Sequence, residues 1–219
     1  MVKPKGSTKR SIPAVPAPRP DQEARDRILD AAHRIFTRKG TASGRTQEIA
    51  REAGVNKALV HYYFGTKAAL ADAIFARALG TLVPRIFGIL AEPDRTVEQK
   101  VRAIVKEQID FHSARPYLAG YMIAELHAHP ERIARLMTAH GRIPLDVLRR
   151  QLQEGARAGT LRRISPEQFV ANMMGLLLFP FAVRSALCQL LGLDAHRWQA
   201  FLEERRRLLP DFVMAGLRP

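Results

Sequence analysis

Apolar residues along this chain recur at helical spacing, and nowhere do they alternate long enough to make a strand. Ile28, Ala31, Ala32, Ile35 and Phe36 fall at i, i+3, i+4, i+7 and i+8, one stripe on a helix that starts near Asp21 and that Gly40 ends. Ile49, Ala50 and Ala53 form the inner face of a second, short helix from Thr46 to Ala53, which Gly54 stops. Asn56 is a natural N-cap for a third, Lys57 to Tyr63, and Gly65 breaks it. Thr66 caps a long helix through Leu90, in which Pro84 predicts a kink or a break. Thr96 with Gln99 three residues on is a capping box, opening a helix to Ser113. Pro116 begins a helix to His127, and Pro130 begins one to Ala158 that Pro144 interrupts and Gly159 ends. Ser165-Pro166-Glu167 opens a helix reaching Leu191. Asp194 caps the last, which Pro210 kinks or ends early. The pattern predicts an all-α fold of about nine helices, without an internal repeat of roughly 20–50 residues.

Charge divides the 219 residues unevenly. The net charge is +14, and residues 1–67 hold 14 Lys/Arg against 6 Asp/Glu. Over half of the excess therefore sits in the first third, which predicts attraction to a polyanion. Residues 1–20 carry five prolines, five positive charges and no acid, and read as a disordered basic arm. Residues 21–67 read as a small basic helical unit, and residues 68–219 as a larger helical domain. Cys188 is the only cysteine, so the chain has no internal disulfide and no thiolate metal cluster; a reducing, cytoplasmic setting is expected.

The segment from Thr46 to Lys67, TQEIAREAGVNKALVHYYFGTK, is the most informative. Arg45 precedes its first helix, Lys57 opens the second and Lys67 opens the third. A cation at a helix N-terminus opposes the dipole by roughly 0.3–1 kcal/mol. Downstream starts carry Glu98, Glu131, Glu167 or Asp194 instead. Three cations at three neighbouring helix starts imply an absent anion, and a nucleic-acid backbone supplies one. Two short helices around a Gly turn are the helix-turn-helix arrangement, in which the second helix enters the major groove.

The same stretch carries a family likeness. From Ile28 to Phe75, the apolar order together with Gly40, Ile49-Ala50, Ala53-Gly54-Val55, Tyr63-Phe64 and Lys67 resembles the tetracycline-repressor (TetR) family of bacterial transcriptional regulators. The resemblance implies that Lys57, Ala58, Leu59 and Tyr62 face base edges or the groove floor, with Lys57 suited to guanine and Leu59 to a thymine methyl. It implies that Gln47 reaches a base or a phosphate, and that Thr46, Tyr63 and Lys67 hold phosphates. His61 stands where the family usually has Tyr. Ser43-Gly44-Arg45 stands where the family favours a Thr or Ser cap, so Ser43 or Gly44 is expected to cap and Arg45 to touch the DNA backbone.

For the rest of the chain, the resemblance implies a homodimer made by the last two helices, a palindromic double-stranded operator, and a small hydrophobic or amphipathic effector entering the larger domain. The run FVANMMGLLLFPFAV at 169–183 agrees independently: a helix apolar all round needs a partner. That run is too short for the roughly 20 residues of a membrane span, so no membrane partner is expected. Candidate effector-pocket residues are Phe87, Phe111, Tyr117, Tyr121, Met122, Met137 and Met173. Glu125, His127, His129 and His140 form the one polar cluster, but two histidines two apart do not share a helix face. Neither a metal nor another cofactor is expected. The sequence shows no GxSxG, HExxH, phosphate loop or Cys/His set, so it does not read as an enzyme. The rival reading is a constitutive DNA-binding or architectural protein without an effector.

Overall fold

The protein's structure is a computed structural model that describes residues 20–128 and 130–219. Among the described residues it is all-α, with eleven helices and no strand. In chain order they are α1 (Pro20–Ser43), α2 (Thr46–Ala53), α3 (Lys57–Phe64), α4 (Lys67–Ala91), α5 (Val97–Ala114), α6 (Pro116–Ala128), α7 (Pro130–Thr138), α8 (Leu145–Arg157), α9 (Pro166–Ala182), α10 (Arg184–Leu191) and α11 (Ala195–Leu217). The basic arm falls outside the described residues, apart from Pro20 at the start of α1.

Two joints account for the difference from about nine helices. Residues 139–144 separate α7 from α8, and Val183 separates α9 from α10 with a bend of 75°. Gly40 does not end α1, which runs on to Ser43. Pro84 and Pro210 lie inside α4 and α11 and end neither helix. Pro84 and Gly80, the residue whose carbonyl it leaves without a donor, are both exposed, so that carbonyl is open to solvent and its missing bond costs little.

The chain builds two ends around α4. At one end Ile28, Ile35 and Phe36 of α1, Ile49 of α2 and Val60 of α3 close over Leu70 and Ile74 of α4. Fully burying side chains of this size contributes roughly 1.5–3 kcal/mol each. That packing is what keeps α2 and α3 helical, because eight-residue helices are marginal alone. Arg34 and Arg38 of α1 both hold Glu52 of α2, at 2.7 and 2.6 Å, and Lys39 holds Glu48 at 2.6 Å. At the other end α5, α8, α9 and α11 enclose a core around Ile109, Leu148, Phe169, Leu177 and Trp198. α6 bridges the two: Tyr117 and Tyr121 pack against both the first core and a middle cluster around Phe75, Leu79 and Val83. α4 is long and apolar enough to cross a membrane, as are α9 and α10 taken together, but Leu70, Ile74 and Leu79 of α4 and Phe169, Leu177 and Phe181 of α9 are buried in the cores of this fold.

Candidate functional site

Gly54 sets the turn between α2 and α3. It adopts φ 66°, ψ 36°, the left-handed region that a side chain disfavours. Val55 N–H returns to Ala50 C=O at 3.0 Å, closing the end of α2, and the Val55 side chain packs against the first core. Asn56 Oδ1 then accepts the Leu59 N–H at 2.7 Å, and Thr66 Oγ1 accepts the Ala69 N–H at 3.1 Å. Both caps match the expectation from sequence. The start of α2 does not: neither Ser43 nor Gly44 caps it. Arg45 occupies the cap position with no side-chain hydrogen bond there. Gly44 is buried instead, because a Cβ on it would meet the Phe36 ring at 2.7 Å.

These turns gather the basic helix starts. Ser43, Gly44, Arg45, Thr46, Gln47, Lys57 and Lys67 line one open depression of about 610 Å³, with no acid among them. The only acid in the first turns of α2, α3 and α4 is Glu48, which Lys39 holds, keeping its pKa below the usual range. Glu52 is held low in the same way by Arg34 and Arg38. The negative charge of α2 is thus committed toward α1, away from the depression.

Around α3, Ala58, His61 and Tyr62 form one exposed face, and Tyr62 is 76% exposed. Val60 and Phe64 form the buried face, and Leu59 lies between. Tyr63 is half-buried, and its hydroxyl donates to the Asp21 carboxylate at the start of α1; that bond raises the phenol's pKa. A phosphate at Tyr63 therefore has to displace Asp21.

A second feature lies far along α4. A cavity of about 120 Å³ sits between α4, α5, α6 and α9. Phe87, Phe111 and Met122 line it. Tyr117, Tyr121 and Met173 are not among its described lining residues. Tyr117 Oη lies 2.6 Å from His33 Nδ1, and Tyr121 Oη donates to Asp72 Oδ1 at 2.8 Å, so both tyrosines turn toward the α1–α4 end. Met173 is buried in the core at the opposite end, and its neighbour Met174 lines the cavity instead. The side chain of Met137 lies outside the described residues, as do those of Glu125 and His129. Among the described residues, no group of three His, Cys, Asp or Glu is placed to hold a metal ion.

Sequence reasoning missed Gln108 and His112 on the cavity wall. Their signal was present: both interrupt the apolar stripe of α5 at Val101, Ile104, Val105 and Ile109. His112 is 3% exposed, and burial, with Arg115 nearby, pulls its pKa to about 4.

Two family models match the chain. The one described as bacterial regulatory proteins, tetR family, matches residues 28–74. The one described as tetracyclin repressor-like, C-terminal domain, matches residues 98–213, more than half of the chain. The protein belongs to the TetR family. It is thus a transcriptional regulator of the helix-turn-helix class. It is 32% identical over 139 residues to the HTH-type transcriptional regulator BetI of Rhizobium meliloti, a match that spans 61% of this chain and 64% of BetI. It is 26% identical over 203 residues to the HTH-type transcriptional repressor NicS of Pseudomonas putida, spanning 89% of this chain and 92% of NicS. Among solved structures, FadR of Bacillus subtilis in complex with stearoyl-CoA shares the fold with a TM-score of 0.62 at 18% identity, over 88% of this chain and 99% of FadR. A TetR-family regulator from Mesorhizobium loti does so with a TM-score of 0.61 at 20% identity, over 92% and 100%.

Proposed function

We propose that this TetR-family member is a homodimeric repressor that binds a palindromic operator and leaves it when a small apolar molecule enters the cavity. One observation carries the reading: α4 joins the two features. Its first residue, Lys67, lines the basic depression, and its residues Leu79, Leu82, Val83 and Phe87 line the cavity. Residues 21–67 then form the reading head, and residues 68–219 the sensing and pairing domain, working in the cytoplasm on the nucleoid. Arg45, Thr46 and Lys67 hold phosphates. Gln47, Lys57, Ala58, Leu59 and Tyr62 face the bases, and His61 lies on the same exposed face of α3.

The pairing surface is the apolar face that α9 and α11 leave open. Phe179 of α9 and Leu208 and Phe212 of α11 are exposed, and Phe212 is 66% exposed. Leu176, Phe201 and Leu209 lie beside Leu208 and Phe212 in one shallow groove. Exposed apolar side chains gathered on one face, bordered by Glu204 and Arg205, are the pattern of an interface. FadR of Bacillus subtilis, which shares the fold, was solved in complex with stearoyl-CoA, a precedent for ligand binding on this architecture.

The test begins with the DNA fragment that the purified protein selects from its own genome. Mass measured in solution should give two chains per bound fragment. Small apolar molecules should lower the affinity. A protein that selects no fragment, or holds its fragment whatever is added, refutes the reading.

A further inference from the structure

The cavity under α4 is apolar except at two places. Gln108 and His112 sit one helical turn apart on α5, and both line it. Gln108 Oε1 and both ring nitrogens of His112 are buried with no hydrogen-bond partner. Buried polar atoms are nearly always paired, because leaving one unmade costs more than a bond returns. Three such atoms on the wall of one cavity mark where a ligand's polar group belongs.

The chemistry of that group follows from the wall. Among the described lining residues none is Asp, Glu, Lys or Arg, so a ligand charge would be buried uncompensated. Gln108 Oε1 only accepts, so the ligand must donate to it. A neutral imidazole has one N–H to give and one nitrogen to accept with. A hydroxyl partners two of the three, donating to Gln108 Oε1 while accepting from the His112 N–H, and leaves the second ring nitrogen of His112 as it is. A carboxylate cannot donate, and an ammonium cannot accept. Size accommodates one ring, in a cavity that is open where the exposed Ile143 and Met174 border it. A cavity of about 120 Å³ is close to the volume, about 150 Å³, at which an engineered apolar cavity binds benzene. Phe75, Phe87 and Phe111 supply aromatic walls.

We propose that this cavity binds an uncharged, single-ring molecule bearing one hydroxyl, a phenol, with Gln108 and His112 as its polar contacts. This deepens the effector reading above and rests on it only for the consequence at DNA, not for the binding itself.

Isothermal titration of the full-length protein with phenol, toluene and benzoate tests it. Each hydrogen bond of this kind is worth roughly two- to tenfold in a dissociation constant. With two such bonds, wild type should bind phenol roughly four- to hundredfold more tightly than toluene, with benzoate weakest. His112→Phe and Gln108→Leu should each cut the preference for phenol over toluene to a few-fold while toluene still binds, which shows that the cavity is intact. Equal binding of phenol and toluene by wild type, no binding of either, or a preference that both variants keep would overturn the assignment. Operator release is measured separately by fluorescence anisotropy. Phenol binding that leaves the operator bound upholds the site and refutes release by this effector.

Discussion

Acid should expose His112 as a stability switch. The folded ring has a pKa of about 4, against 6.5 for the ordinary side chain, because burial disfavours the imidazolium and Arg115 adds repulsion. The folded value lies below the unfolded one. Between them the unfolded chain carries a proton that the folded chain refuses. Stability is therefore whole above about pH 6.5 and drains away as pH falls toward about 4. The full gap corresponds to roughly 3 kcal/mol, of which roughly 2 kcal/mol is lost by about pH 5. His33, also held below its usual pKa by burial, adds to the loss. The ion-paired carboxylates Glu48 and Glu52 add more at lower pH, since their folded pKa values are depressed.

A difference between two proteins isolates His112. Phenylalanine in its place keeps an aromatic ring beside Phe111 and Phe181, whose centroids each lie 5.1 Å from that of His112, and removes the titration. Urea unfolding of wild type and His112→Phe, at about pH 7.5 and about pH 5 and at one protein concentration, gives four stabilities. Wild type should lose roughly 2 kcal/mol more than the variant on acidification. If the two proteins lose stability in parallel, the histidine is not buried neutral and the reasoning fails.

The reading head gives a paired test. Lys67→Ala should weaken binding to all DNA sequences alike and lower the salt dependence by about one unit per site, whereas Lys57→Ala should relax preference at one base position by about 1–3 kcal/mol. Identical changes in specificity from both would show the roles to be misassigned. Phe212→Glu puts a charge into the open face of α9 and α11, so sedimentation should find a monomer with much weaker operator binding; a stable dimer would move the pairing surface elsewhere. Gly44→Ala drives a methyl toward the Phe36 ring, where its Cβ would stand at 2.7 Å, and should destabilise the head by about 1–3 kcal/mol in thermal melts. An unchanged melting temperature would mean that Phe36 moves aside without cost.

What the sequence revealed was local. Asn56, Thr66, Thr96 with Gln99, Ser165 and Asp194 all cap the helices that they were expected to cap, because a cap is decided within about four residues. The alternation of cations and acids at helix starts was equally local, and it marked the depression at Arg45, Lys57 and Lys67. Breaks set by packing stayed hidden. The bend at Val183 falls at the last residue of the apolar run, three residues after Pro180, within a stretch that the sequence reads as one helix to Leu191. The same holds for cavity residues. Phe87, Phe111 and Met122 line it, yet neighbours on a helix point about 100° apart, so Met173 faces the core at one end while Met174 faces the cavity. Tyr117 and Tyr121 look like pocket residues by type, but His33 and Asp72, far away in sequence, claim their hydroxyls.

On the proposed reading, that last displacement matters to how the two ends communicate. On α6, Leu118 and Met122 line the cavity, while Tyr117 and Tyr121 bond the α1–α4 end. The two pairs are each one turn apart and offset by a single residue, so one rigid helix carries both stripes. A ligand that shifts Leu118 and Met122 shifts the tyrosines with them. Each hydroxyl contact contributes roughly 0.5–1.5 kcal/mol, and the two together roughly 1–3 kcal/mol. Tenfold coupling between ligand and operator needs only about 1.4 kcal/mol. α4 alone would transmit a displacement along its axis; α6 adds a second linkage of the required size, fastened to α1 through His33 and to α4 through Asp72. On that reading, filling the cavity between α4 and α6 displaces both points that hold the head, and operator spacing is expected to change with them.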